Sequence, residues 1–527
     1  MNDRLDAALS ALPGDLAWHV LLSAAALALG GAIALPLAVV AARRPRLRAA
    51  SLGLASAIQT VPALALLALF YPVLLLLGMA TGTALPALGF LPALLALALF
   101  ALLPMLRNGV EGLTGLDPAI LEAADGVGMT RGERLRLVEA PLAAPVVMAG
   151  VRTAAVWTMG TATLATTVGQ PCLGNLIFAG LQTEDWVTVL VGCAASAALA
   201  LGVDALLGLV QSGVAARRPG RITVGALLLV AGIAAAAVTL APATSRPTYV
   251  VGAKNFGEQF ILARLIGARL EAGGGRVEYR EGLGSAVAFR ALAAGDIDVY
   301  VDYSGTLWTN QMARVDTPPP VIMRAEIARW MLAHHGVRVG GALGFENAYA
   351  LAMRRDRAAA LGIHTIADLA RVAPRLALGA DLEFLSRPEW RALSSAYGLH
   401  FRESRAFSPT FLYRAARDGT VDVISAFSSD GRIAADDLVV LTDPRGAIPS
   451  YDALLLVSPK RTRDRRLAEA LAPLLGRIPV ERMREANLMV DRDTDKQSPE
   501  AAARWLASHL APRAAGATLG AATEPSP

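Results

Sequence analysis

A chain of 527 residues is longer than one hydrophobic core needs, which predicts at least two domains. Hydrophobic residues make up 54% and charged residues only 18%, below the roughly 25% charged content of soluble domains, so part of the chain belongs in lipid. The net charge of +5 comes from scattered arginines with no basic run interleaved with aromatics, which argues against a nucleic-acid partner.

The charge is unevenly spread. Residues 49–106 contain no Asp, Glu, Lys or Arg, whereas charges from about residue 248 onward have ordinary globular density. A span needs about 20 apolar residues. Candidates run from Trp18 to Ala42, twice within 49–106 with a break near Gly78–Pro86, from Pro141 to Val168, from Trp186 to Val214 and from Ile222 to Leu240. The first is too long for a signal-peptide core and is read as a retained helix. Pro62, Pro72 and Pro92 are expected within spans as kinks. Arg152 and Asp204 fall in or near spans four and five. Burying either alone is expensive, so they are expected to pair or to reach water.

Positive charges orient the bundle. Arg43, Arg44, Arg46 and Arg48 follow span one, Arg131, Arg134 and Arg136 lie between spans three and four, and Arg217, Arg218 and Arg221 lie between five and six. All three loops are predicted to be cytoplasmic. That leaves an external N-terminal segment 1–17, a transmembrane domain 18–242 with a cytoplasmic loop 108–140, and everything after residue 242 outside.

The loop EAADGVGMTRGERLRLVEAPLAAP (122–145) carries Glu122, Ala123, Ala124, Gly128 and Pro141. It resembles the EAA signature of ABC importer permeases, in which such a loop forms a coupling helix that docks on the ATPase subunit. QTVPALALLAL (59–69) and VGQPCLGNLIFAGL (168–181) are similar to segments of the glycine betaine/choline branch of those permeases. None of the three lysines, Lys254, Lys460 and Lys496, follows a glycine, so this chain lacks the phosphate loop of an ATPase. The resemblance implies a separate ATPase partner and a second copy of this chain.

Beyond a short Pro/Thr/Ser linker (241–248), β-branched runs alternate with helical stretches. Strands are predicted at 248–253, 276–280, 297–302, 375–379, 421–427, 438–442 and 453–458, and helices at 257–272, 285–294, 322–335 and 408–418. The alternation predicts α/β layers with parallel sheets. With the permease, it predicts a two-lobed solute-binding domain over 243–512, followed by a disordered tail, 513–527, rich in Ala, Gly and Pro. The two cysteines, Cys172 and Cys193, lie in the apolar half, so the soluble half folds without disulfides. The six His residues show no metal-ligand spacing, and no metal or cofactor is expected.

GAKNFGEQ (252–259), DYSGT (302–306), ENAYAL (346–351), EFLSRPEW (383–390), AFSSDGR (426–432) and PSYDALLL (449–456) together resemble the osmoprotectant-binding proteins for glycine betaine, choline, carnitine and related compounds. A quaternary ammonium has no N–H and must be held by π faces, each worth about 0.5–2 kcal/mol. The resemblance implies cage positions at Tyr303, Tyr349, Phe427 and Tyr451. It implies carboxylate partners at Lys254, Thr306 and Arg387, and further ligand contacts at Gln259 and Asn347. Two cations with no evident compensating acid favour a zwitterionic betaine over choline. The implied protein is not an enzyme but an inner-membrane importer subunit for a glycine betaine-type zwitterion, with its binding domain on the periplasmic side. Choline, carnitine and ergothioneine are alternative ligands, and a membrane-tethered betaine sensor is the alternative of another class.

Overall fold

The computed structural model describes residues 2–83, 85–241, 247–492 and 494–511, so the expected tail 513–527 and most of the linker lie outside the described residues. The chain forms two compact units. One comprises residues 8–178 and 188–243, the other 1–7, 179–187 and 244–527.

Among the described residues, six helices are long and apolar enough to cross a membrane, at Arg4–Ala42, Ala63–Thr81, Phe90–Thr114, Arg131–Val168, Trp186–Ala215 and Pro219–Leu240. Helix α1 runs from Asn2 to Ala42, so residues 2–17, expected as an external segment, are helical and continuous with the first span. Ala and Leu supply the propensity there. Helix α2 (Pro45–Thr60) separates spans one and two; at ~1.5 Å per residue it is too short to cross a ~30 Å core. Pro62, expected inside a span, instead precedes α3 (Ala63–Thr81), where its missing N–H costs nothing. Pro72 does lie inside α3. Pro92 falls in the first turn of α4 (Phe90–Thr114), a span that is largely buried.

Helix α5 (Pro118–Gly126) is the expected loop helix. Asp117 caps it by accepting from Ala119 N at 2.9 Å. It ends before Gly128, whose φ of +83° lies in the region that favours glycine. Arg134 then ties the loop together, donating to both Asp125 oxygens at 2.8 and 2.6 Å and to Glu139 at 2.7 Å. Helix α6 (Ala140–Ala162) packs along α4, and Gly150 permits the approach: a Cβ there would lie 2.8 Å from Pro104 O. Helices α7 (Gly174–Gln182), α8 (Trp186–Ala215) and α9 (Pro219–Leu240) complete the set. Arg152 and Asp204 pair through two bonds of 2.5 and 2.6 Å.

The second unit holds two five-stranded sheets. The first is ordered β2-β1-β3-β10-β4, with β1 Thr248–Lys254, β2 Arg276–Leu283, β3 Val299–Tyr303, β4 Arg338–Glu346 and β10 Asp452–Val457. The second is ordered β7-β6-β8-β5-β9, with β5 Tyr349–Arg354, β6 Ala377–Asp381, β7 Glu403–Phe407, β8 Val423–Phe427 and β9 Leu438–Val440. The chain crosses from the first lobe to the second between β4 and β5, and returns between β9 and β10. Both sheets are mixed rather than parallel: β10 runs antiparallel to β3 and β4, and β5 antiparallel to β8 and β9. The crossings cause this, because a strand arriving from the opposite lobe enters the sheet from the end where its neighbours leave.

Helix α10 (Gly257–Ala272) follows β1 and buries Phe260, Ile261, Leu265, Ile266 and Leu270 in the first lobe. Leu378, Val423 and Leu441 anchor the second. Helices α11 (Ser285–Ala294) and α12 (Pro320–His335) lie close to their expected bounds. Helices α13 (Leu382–Ser386), α14 (Pro388–Tyr397) and α15 (Pro409–Arg417) belong to the second lobe, and α16 (Val480–Asp491) and α17 (Pro499–Ser508) pack on α10 of the first.

Candidate ligand-binding site

Ligands of open α/β sheets collect beyond strand carboxyl ends. Here β1 ends at Lys254, β3 at Tyr303, β6 at Asp381 and β8 at Phe427, while the two crossings contribute Asn347, Tyr349 and Tyr451. All seven border one cavity of ≈ 830 Å³, together with Thr306 and Arg387.

Six aromatic residues border this space: Phe256, Tyr303, Tyr349, Phe407, Phe427 and Tyr451. Phe256 and Phe427 are parallel within 3° with centroids 5.9 Å apart, and Phe256 also faces Tyr303 at 6.3 Å. Tyr349 lies 4.9 Å from Phe427 and meets Tyr451 edge-on at 5.6 Å. Burial raises the phenols of Tyr303, Tyr349 and Tyr451 well above their ordinary range, so they remain neutral.

Lys254 Nζ lies 2.5 Å from Asp302 Oδ1, and Asp302 also accepts from Tyr300 OH at 2.6 Å and Tyr303 N at 2.8 Å. Arg387 is 5% exposed and forms an ion pair with Glu383. Its guanidinium also donates to Glu389 and Thr306 at 3.4 Å and to Ser285 at 3.3 Å. Ser285 and Thr306 belong to the first lobe and Arg387 to the second, so this side chain clasps the two. Burial pushes the Glu383 carboxyl up, but the Arg387 and Lys254 charges prevail and hold it below its ordinary value. The expectation of two uncompensated cations is therefore overturned. Asp302 was absent from that reckoning because it lies 48 residues from Lys254; Glu383, four residues before Arg387, opens the quoted 383–390 motif and was overlooked.

Behind the cavity, Glu258 is buried and accepts four bonds. Tyr303 OH (2.5 Å) and Asn347 Nδ2 (3.0 Å) reach one oxygen; Ser429 Oγ (2.6 Å) and Asn487 Nδ2 (2.9 Å) reach the other. Burial pushes this carboxyl up against those four donors. Ser429 comes from the second lobe, so Glu258 also ties the lobes together.

Gln259 does not border the cavity. Its Nε2 donates to Tyr303 OH at 2.9 Å and its Oε1 accepts from Lys254 N at 3.3 Å, so it orients the wall from behind. Sequence reading missed Phe256, Asp381 and Glu383. Phe256 had a signal, since it follows Lys254-Asn255 in the motif already singled out, and so did Glu383, which opens the 383–390 motif four residues before Arg387; Asp381 had none. In the other unit, Glu122 and Ala123 of α5 and Gly128 after it are exposed, while Ala124 is buried.

Two protein families match the chain. "Substrate binding domain of ABC-type glycine betaine transport system" covers residues 247–508, and "Binding-protein-dependent transport system inner membrane component" covers residues 34–216. The Bacillus subtilis choline transport system permease protein OpuBB is 38% identical over 193 residues, 37% of this chain and 83% of that protein. The Helicobacter pylori ergothioneine transport permease/ergothioneine binding protein EgtU is 28% identical over 478 residues, 87% of this chain and 83% of that protein. A crystal structure of a glycine betaine/carnitine/choline ABC transporter is 24% identical with a TM-score of 0.43, covering 50% of this chain and 98% of that one.

The chain belongs to the osmoprotectant family of ABC importers and unites permease and substrate-binding domain in one polypeptide. It is a multi-pass membrane protein whose binding domain lies outside the cytoplasm, and it works with an ATPase subunit and a small-molecule substrate.

Proposed function

We propose that this subunit captures a quaternary-ammonium zwitterion of the glycine betaine type and delivers it to its own membrane domain. The observation that carries the reading is the convergence of Phe256, Tyr303, Tyr349, Phe427 and Tyr451 on one cavity edged by Arg387. Ring faces attract a cation that cannot donate hydrogen bonds. Arg387 keeps Nε without a partner among the described residues, a donor suited to a carboxylate. The names of the Bacillus and Helicobacter relatives, choline and ergothioneine, share the quaternary ammonium. Lys254, Thr306 and Asn347 complete the pocket, and Gln259 supports Tyr303.

Residues 18–242 form the permease and 243–512 the capturing domain. Two copies of the chain line one pathway, and Glu122, Ala123, Ala124 and Gly128 seat the ATPase, with exposed Val127 and Leu137 alongside as apolar contact surface. The test is uptake of labelled glycine betaine, carnitine, ergothioneine and choline by vesicles containing the full chain and its ATPase. ATP-dependent accumulation of at least one betaine is expected. Binding without accumulation would favour a sensor, and no affinity for any quaternary amine would refute the reading.

A further inference from the structure

The compact unit built around the two sheets also contains residues 179–187, which join the end of α7 to α8 and so link the fourth span to the fifth. Thr183, Glu184 and Asp185 are buried there, although the chain only turns between two helices. Asp185 N donates to Gly180 O at 2.7 Å, and Asp185 Oδ1 accepts from Val187 N at 3.2 Å to cap α8. Glu184 takes a φ of +51°, a conformation that a residue with a Cβ keeps where its surroundings hold it. Two basic side chains grip this turn. Arg414, on α15 of the second lobe, forms an ion pair with Glu184, and Lys496, between α16 and α17 of the first lobe, donates to Thr183 O at 2.6 Å. Gln182 borders the ligand cavity. It also borders a smaller space beside Arg432 and Asp491, an ion pair of 3.8 Å that itself joins the second lobe to the first.

A loop bonded to both lobes keeps both bonds only while the lobes are together, because opening carries Arg414 and Lys496 apart. Whatever closes the lobes therefore favours the docked loop, and the docked loop favours closed lobes to the same extent. We infer that residues 182–185 are a closure reader: the segment between spans four and five docks across the seam of a closed capture domain, so that the membrane domain engages a loaded domain and passes over an open one. The Glu184 carboxylate and the Thr183 carbonyl receive the two basic groups that closure brings into range. Recognition is of the seam rather than of the solute, so it holds for whichever quaternary amine is carried.

The full chain with its ATPase in lipid nanodiscs provides the test. Cys172→Ser and Cys193→Ser remove the native thiols. Glu184→Cys and Arg414→Cys would then be bridged by a short bis-maleimide, with and without saturating glycine betaine, carnitine, choline or ergothioneine. The cross-link is expected to form about fivefold or more faster with a solute that calorimetry shows to bind. Glu184 does not border the cavity. Glu184→Arg is nevertheless expected to weaken the bound solute by about three- to tenfold and to cut its uptake by vesicles by about tenfold or more. Adding Arg414→Glu to Glu184→Arg is expected to restore most of both, which a merely misfolded variant would not show. Three results overturn the closure reader: no cross-link under any condition, an equal rate with and without a bound solute, or Glu184→Arg with unaltered affinity and uptake. Binding of none of the four compounds strikes the quaternary-ammonium reading instead, and the presence or absence of the cross-link still decides whether the segment docks.

Discussion

The Lys254 ammonium lies 2.5 Å from an Asp302 carboxylate oxygen, with the two side chains 3% and 1% exposed. Such a pair is spent on the protein rather than on the ligand. Removing one member strands a buried charge, at a cost of about 3–5 kcal/mol. Lys254→Ala is therefore expected to lower stability by that order. It is expected to shift the preference among quaternary ligands far less than changes at Arg387. Denaturation of the full chain followed by tryptophan fluorescence, alongside ligand titrations, separates the two effects; a stable variant with lost carboxylate selectivity would contradict this assignment.

Arg387 stands at the boundary between the lobes with Nε unpaired among the described residues. Arg387→Ala is expected to reduce betaine affinity by about 2–5 kcal/mol, as for one partner of a buried charge pair. Choline, which lacks the carboxylate, should lose less. Tyr349→Ala removes a ring that touches Phe427 and Tyr451 and should weaken every quaternary ligand by about 0.5–2 kcal/mol. Calorimetry on the full chain checks both, and choline binding above every betaine with a harmless Arg387→Ala would sink the zwitterion assignment.

Glu258 receives four donors and has no free oxygen. Glu258→Gln puts an amide N–H₂ where two donors already point. We expect a loss of about 1–3 kcal/mol for each donor left unpaired, read as a lower unfolding temperature of the extracytoplasmic domain. A variant as stable as the parent would show that these contacts contribute little.

Gly128 has a φ of +83°, and a Cβ there would meet nothing within 4 Å. The cost of Gly128→Val is thus conformational: the turn after α5 must change, at about 1–2 kcal/mol. Uptake should fall sharply while external ligand binding stays normal. Full uptake with full ATPase association in the variant would remove this turn from the coupling path.

Much of this architecture could be read from the residues alone. The uncharged stretches announced the spans because lipid tolerates few charges, and α10 and α11 announced themselves through uninterrupted helix formers between strand ends. The strands that escaped notice were β4, β5 and β7. β4 carries Gly340, Gly341 and Gly344, which erase its β signal, and β7 (ESRAF) is polar and largely exposed at a sheet edge. At the site, the aromatic positions were legible because they end recognisable runs. The partner of Lys254 was not, because only the fold decides which distant acid meets it. Asp302 lies 48 residues from Lys254 in sequence.

The two crossings between the lobes meet beside the cavity, where Asn347 N donates to Tyr451 O at 3.0 Å. Whatever sits near a pivot sweeps the shortest arc when the lobes part. If the lobes part about these crossings, Asn347 and Tyr451 keep their mutual arrangement, whereas Arg387, Phe427 and its sheet partner Tyr349 move away from Lys254 and Phe256. On that movement, an arriving solute would meet a half-finished berth made of the stationary residues before the moving ones complete it. Changes at Tyr451 should therefore register in how fast solute docks, and changes at Arg387 in how long it stays.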